Sequence, residues 1–273
     1  MIEYFSYDFV RYAFIAGILT SICAGLLGVS LVLKRYSFIG DGLSHVAFGA
    51  TAIAAALNIS NELYVVLPIT VMCAVPLLKA GRRAKIKGDA ALAMLSVGAM
   101  AIGYLIINKF GASSNIAGDV CTTLFGSISI LTLTKIDVWL CIVMSIIVVS
   151  IFILFYNKLF GITFDENFVA ATGLNTNAYN FLIAVVTAAV TVLAMKLVGA
   201  LLVSALIVFP ALTSMRIFDT YLKVIISSAA IAGITTAIGI AVSLVASTPI
   251  GATIVAVEII TFVVFSLIGK VLK

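Results

Sequence analysis

Nine stretches of about 20 residues in this chain are nearly free of charge, and that repetition constrains the fold more than any motif does. The runs fall at about 10–33, 37–57, 62–78, 90–108, 136–156, 180–197, 198–217, 222–244 and 250–268. A helix rises about 1.5 Å per residue, so about 20 apolar residues cross the roughly 30 Å hydrocarbon core of a bilayer. Inside that core every backbone N–H and C=O needs a partner from the chain itself, which leaves helices or closed barrels. Barrel strands would read as short alternating segments, and the sequence shows none. Charged residues make up 10% of the 273 and the mean hydropathy is +1.29, whereas a soluble domain carries roughly a quarter charged residues. The sequence therefore predicts an all-α polytopic membrane protein. It reads as one compact bundle and a single transmembrane domain over 1–273, with about nine transmembrane helices, or eight as the alternative.

Basic residues set the orientation. The cluster KAGRRAKIKGD (79–89) marks a cytoplasmic loop by the positive-inside rule. Alternating from there places 34–36, 157–179, 216–223 and the C-terminal tail inside as well, with the N-terminus outside. Of the 16 Lys and Arg, only Arg11, Lys109, Lys135 and Lys196 then fall outside. Arg11 and Lys196 read as interfacial anchors. Glu3 and Asp8 precede the first run, which lacks the basic front of a cleaved signal. The net charge of +5 comes from the loops and suits membrane lipids with anionic headgroups, with no reason to invoke nucleic acid. Cys23, Cys73, Cys121 and Cys141 lack C-x-x-C spacing and read as small packing residues.

Packing signals are written as small residues every fourth position. Ala13, Gly17, Ser21 and Gly25 line one face of the first run, and Ala229, Gly233, Ala237 and Ala241 line the eighth. Such faces let backbones approach closely where lipid offers no hydrophobic drive.

Polar residues inside apolar runs are the candidate functional positions, because each is costly unless it faces a partner or a cavity. Asp41 and His45, in SFIGDGLSHVAFG (37–49), are one helical turn apart on one face, with Gly49 continuing that face and leaving space beside the imidazole. A carboxylate and an imidazole form a ligand pair for Zn²⁺ or Mn²⁺, too few for a tight site but fit for transient binding. The alternative is structural: a helix-start carboxylate at the interface and a histidine bonded to a backbone carbonyl. Glu258 lies mid-run and should face the interior as a polar contact or pathway residue, and Asp119 is a candidate entry residue or an interfacial cap. Thr163 and Glu166 have the S/T-x-x-E spacing of a capping box, predicting a short cytoplasmic helix that ends at Gly173. Phe164 and Phe168 would share its face, which meets either a partner or the membrane interface. No G-x-x-x-x-G-K-[ST] loop is present, so the chain is expected not to be an enzyme or to hydrolyse ATP itself.

Four stretches carry a family resemblance: AGLLGVSLVLKRYSFIGDGLSHVAFG (24–49), GRRAKIKGDAALAMLSVGAMAIG (81–103), LVGALLVSALIVFPA (197–211) and TPIGATIVAV (248–257). Together they resemble the permeases of bacterial zinc, manganese and iron ATP-binding cassette importers, the ABC-3 family. The first stretch departs at Gly42 and Phe48-Gly49 but keeps the Asp-x-x-x-His core. The resemblance implies a fold of the type II importer permeases and a place in the bacterial cytoplasmic membrane. It implies a metal path through Asp41 and His45, with Zn²⁺ or Mn²⁺, and by extension Fe²⁺, as substrate and no permanently bound cofactor. It also implies a coupling helix near 164–172, including Phe164, Asp165, Glu166 and Phe168. The implied partners are a second copy in a homodimer, two cytoplasmic ATP-binding subunits and an extracytoplasmic metal-binding protein. Two alternatives remain: a permease for a metal chelate or cobalamin-like cargo, or an ion-coupled carrier with Asp41 and His45 as a proton relay.

Overall fold

A computed structural model describes residues 7–59, 61–80, 88–110 and 133–272, and the described residues are helical with no strand among them. Each of the nine apolar runs falls on a helix: α1 (Asp8–Leu33), α2 (Ile39–Ala56), α3 (Leu63–Ala80), α4 (Gly88–Phe110), α5 (Lys135–Leu154), α8 (Thr176–Val198), α9 (Ala200–Ser214), α10 (Tyr221–Ala246) and α11 (Ile250–Leu272). Two short helices, α6 (Tyr156–Phe164) and α7 (Glu166–Ala171), lie between α5 and α8. Among the described residues six helices are long and apolar enough to cross a membrane, fewer than the nine expected: α1, α4, α5, α8, α10 and α11. The apolar parts of α3 and α9 are shorter. At 15 residues, α9 reaches only about 22 Å.

A single residue separates α8 from α9. Gly199 has φ 85° and ψ 160°, a region closed to side chains with a Cβ, so the chain leaves one helix and begins the next without a loop. The run expected to end at 197 continues to Val198, and the one expected to start at 198 starts at Ala200; the first also begins before 180, where Asn175 caps α8, accepting from the Ala178 N–H at 3.2 Å.

The interior is built around α1, which touches α5, α6, α8, α9 and α10. The small-residue stripe of α1 meets α10: a Cβ on Gly25 would lie 3.0 Å from the Ala232 Cβ, and Ser228 Oγ donates to the Gly25 carbonyl at 2.8 Å. The matching stripe on α10 is rotated from the expected one. Ser228, Ala232 and Gly239 are buried, Gly233 packs on Ile22, and Ala229, Ala237 and Ala241 sit at the edge. On the other side of α1, Gly28 lies under α9, where a Cβ would come within 2.0 Å of the Ile207 carbonyl oxygen. Helix α9 also packs on α2, α8, α10 and α11, making it the common neighbour of the two helices that carry Asp41 and Glu258.

The periphery is apolar outward. Only 17% of the crossing window of α4 and of α11 is buried, and Met94, Val97, Leu105, Ile260, Val264 and Leu267 point away from the bundle. Such faces suit hydrocarbon rather than water. Polar side chains go inward, as Thr187, Thr191, Ser204, Thr236 and Ser228 do.

Candidate functional site

The turn before α2 is fixed by backbone bonds. Tyr36 N–H donates to the Leu31 carbonyl at 2.8 Å and Arg35 N–H to Val32 at 3.0 Å, with Arg35 at φ 65°. This is the pair of hydrogen bonds that closes a helix on a left-handed residue, filled here without glycine. Helix α2 then starts at Ile39 and places Asp41 in its first turn, where the helix dipole favours an anion. One turn on, His45 Nε2 lies 3.5 Å from Asp41 Oδ1. The imidazole is 11% exposed and the carboxylate 38%. His45 Nδ1 is buried with no hydrogen-bond partner among the described residues, so the bond to a backbone carbonyl that a structural role would supply is not made. Gly49 does not leave space beside the imidazole, as its spacing suggested. A Cβ there would meet the Ala99 carbonyl at 2.8 Å, because α4 packs into the glycine face of α2.

No group of three or more His, Cys, Asp or Glu able to hold a metal occurs among the described residues. Asp41 and His45 thus offer two donors, one oxygen and one nitrogen, on a face that is still partly open. Glu258, on α11, is 2% exposed, and neither carboxylate oxygen has a hydrogen-bond partner among the described residues. Its helix and that of Asp41 and His45 share α9 as a neighbour. Asp119 and Cys121 lie outside the described residues.

At the cytoplasmic end expected from the charge pattern, the S/T-x-x-E reading is corrected. Thr163 lies inside α6 and its hydroxyl bonds the Leu159 carbonyl at 2.6 Å. The cap of α7 is Asp165, whose extended backbone breaks the helix and whose carboxylate accepts from Phe168 N–H at 3.0 Å. Phe164 and Phe168 therefore sit on two helices, not on one face. Phe164 is exposed but also packs against Phe160 and Tyr221, while Phe168 stands exposed on α7. Gly173, at φ 87°, follows α7 as expected.

Glu166, freed from capping, makes a long-range network. Asn180 Nδ2 donates to Glu166 Oε1 at 2.6 Å, Lys34 Nζ donates to Asn180 Oδ1 at 2.7 Å, and Lys34 Nζ is 4.0 Å from Glu166 Oε2. Burial lowers the Lys34 ammonium pKa, and Glu166 pulls it back up. Sequence reading used Lys34 only as a topological charge and missed Asn180; the one signal was an asparagine at the head of an apolar run. Lys196, expected as an interfacial anchor, donates to Asp137 Oδ1 at 3.0 Å, and the Thr134–Asp137 capping box holds that carboxylate.

The ABC 3 transport family profile matches residues 6–269. The chain belongs to that family. It is 30% identical to the manganese transport system membrane protein MntC of Halalkalibacterium halodurans, covering 92% of this chain and 84% of that protein. It is 27% identical to the high-affinity zinc uptake system membrane protein ZnuB of Buchnera aphidicola, covering 91% and 93%. The solved structure of PsaBC from Streptococcus pneumoniae in complex with Fab shares the fold, with a TM-score of 0.83 over 97% of this chain and 95% of that one at 24% identity. The chain is a multi-pass membrane permease subunit of an ATP-binding cassette transporter, in a family whose named relatives serve manganese and zinc systems.

Proposed function

We propose that this permease carries a divalent transition-metal ion, Mn²⁺ or Zn²⁺, into the cytoplasm of a bacterium, with Asp41 and His45 as the ligands along the path. The observation that carries the reading is the pair itself: Nε2 and Oδ1 at 3.5 Å, with a buried Nδ1 behind them that has no hydrogen-bond partner among the described residues. A cation that has shed part of its water needs oxygen and nitrogen donors, and a set of two lets it leave again. The ion is substrate, and no resident cofactor is needed. A second copy would double the donors to a coordination number these ions accept.

In this reading all nine apolar helices of one 273-residue transmembrane domain belong to the permease, the N-terminus faces outside and the C-terminus the cytoplasm. Glu258 serves the pathway from α11, and Asp119 serves the entry. The elbow made by α6 and α7, with Phe164, Asp165, Glu166 and above all the exposed Phe168, docks on a cytoplasmic ATP-binding subunit. Two permeases and two such subunits form the importer, supplied by an extracytoplasmic metal-binding protein. The test is reconstitution of the complete complex in liposomes. ATP-dependent entry of labelled Mn²⁺ or Zn²⁺, with Mg²⁺ left outside, is the expected result; ATP-driven movement of neither transition metal would overturn it.

A further inference from the structure

The elbow is attached to the bundle in two ways. Helix α6 is held by rings: Phe160 and Phe164 pack on Tyr221, the first residue of α10, at centroid distances of 5.2 and 5.8 Å. Helix α7 is held by charge. Its first residue, Glu166, reaches Asn180 on α8, and Asn180 reaches Lys34 at the end of α1. Both halves of the Asn180 amide are used, and its charged neighbours fix its sense: the oxygen can only face the ammonium and the nitrogen can only face the carboxylate. Asn180 is 4% exposed and the Lys34 side chain 9%. Glu166 is 45% exposed and keeps contact with solvent, so the charge at stake is the Lys34 ammonium: breaking the link to Asn180 leaves it buried with its nearest acceptor lost.

What the network joins gives it meaning. Lys34 closes α1 and begins the tight turn that fixes the start of α2, and Asp41 follows in the first turn of that helix. A displacement of α7 is therefore passed through Asn180 to the α1–α2 turn by short bonds, with no flexible loop between.

We propose that Glu166, Asn180 and Lys34 form a positioning joint that passes movement of the docked ATP-binding subunit to the α1–α2 turn and so to Asp41 and His45. The joint rests on the reading that α7 is the docking element. None of the three residues touches the ion or ATP; they act by fixing where α2 stands relative to α7. The joint also accounts for a buried lysine at the end of an apolar helix, where a surface charge would have served topology equally well.

The experiment uses the complete transporter in liposomes and measures Mn²⁺ moved per ATP hydrolysed. Asn180→Asp keeps the side-chain shape and the contact to Lys34 but turns the donor facing Glu166 into a second carboxylate. Lys34→Met keeps the stem and removes the charge. In both, ATP-binding subunits should still co-purify while the ratio falls about tenfold, the order one charge-assisted hydrogen bond carries. Lys34→Arg should stay within about twofold of the parent, since it keeps both the charge and the donor to Asn180. A parental ratio in Asn180→Asp and Lys34→Met overturns the joint, and so does loss of the ATP-binding subunits in Asn180→Asp. Should Lys34→Met fail to assemble, Asn180→Asp decides alone. Phe168→Asp separates the two ideas. If it leaves docking and the ratio intact, α7 is not the docking element. If it releases the subunits while Asn180→Asp stays at the parental ratio, only the joint falls.

Discussion

Replacing Gly28 by alanine tests whether α1 and α9 truly meet backbone to backbone. The added Cβ would sit 2.0 Å from the Ile207 carbonyl oxygen and 2.9 Å from its carbon, and side-chain Cβ atoms essentially never approach closer than 3.0 Å. The helices must then part by about 1 Å, and the obstacle is a main-chain carbonyl that cannot rotate away as a side-chain tip could. Overpacking of this kind costs about 1–3 kcal/mol, and the rigid partner places Gly28→Ala in the upper half of that range. The gain of about 1 kcal/mol for alanine over glycine inside a helix offsets only part of it. The control is Gly98→Ala on α4, where nothing lies within 4 Å of the new atom and only the propensity gain remains. The assay is thermal unfolding of the detergent-solubilised permease, read by the fraction that stays monodisperse. Gly28→Ala should lower the midpoint by several degrees, at about 2–4 °C per kcal/mol for a chain of this size, while Gly98→Ala raises it slightly or leaves it. Because α9 also packs on α2 through Gly40 and on α11, uptake should fall with the midpoint. Equal midpoints for the two variants would refute the close contact and with it the placement of α9 between the helices of Asp41 and Glu258.

Two further outcomes follow from polar contacts that only the fold reveals. Asp165→Ala removes the cap of α7 and should weaken docking of the ATP-binding subunit by about 1 kcal/mol, or about fivefold in affinity, while Asp165→Asn keeps the cap and the affinity; a titration of the subunit onto permease in nanodiscs reads both. Lys196→Met leaves Asp137 held by Thr134 alone and should cost about 1 kcal/mol of stability, a modest value because the lysine is a third exposed; an unchanged midpoint would show that the pair is idle.

The helices were legible because a bilayer imposes one rule on every crossing segment, and apolar length reports it directly. All nine runs became helices, and the Asp-x-x-x-His face was recovered because an i, i+4 spacing survives in any helix. What was not legible depends on partners far along the chain. Thr163, Asp165 and Glu166 are all plausible capping residues, and the choice fell to Asp165 because Glu166 is drawn to Asn180, 14 positions on, and through it to Lys34, 146 positions from Asn180. The stripe on α10 was read with the correct period but the wrong face, since α1 and α11 together set its rotation. Gly49 was taken as space and is in fact a contact, a distinction that only the carbonyl of Ala99 makes. The oxygens of Glu258 and the Nδ1 of His45 have no hydrogen-bond partner among the described residues, and no sequence pattern marks a group as unpartnered.

The most direct test of the metal path is uptake of radiolabelled Mn²⁺ and Zn²⁺ into cells carrying Asp41→Asn or His45→Ala in the complete transporter. Asp41→Asn keeps the side-chain size, and His45→Ala removes the imidazole while leaving the glycine contacts of α2 with α4 and α9 in place, so expression and co-purification of the ATP-binding subunits should match the parent. Uptake of the transported metal should be lost in each. Near-parental uptake in both would show that the pair is structural, and the path of the ion would have to run elsewhere.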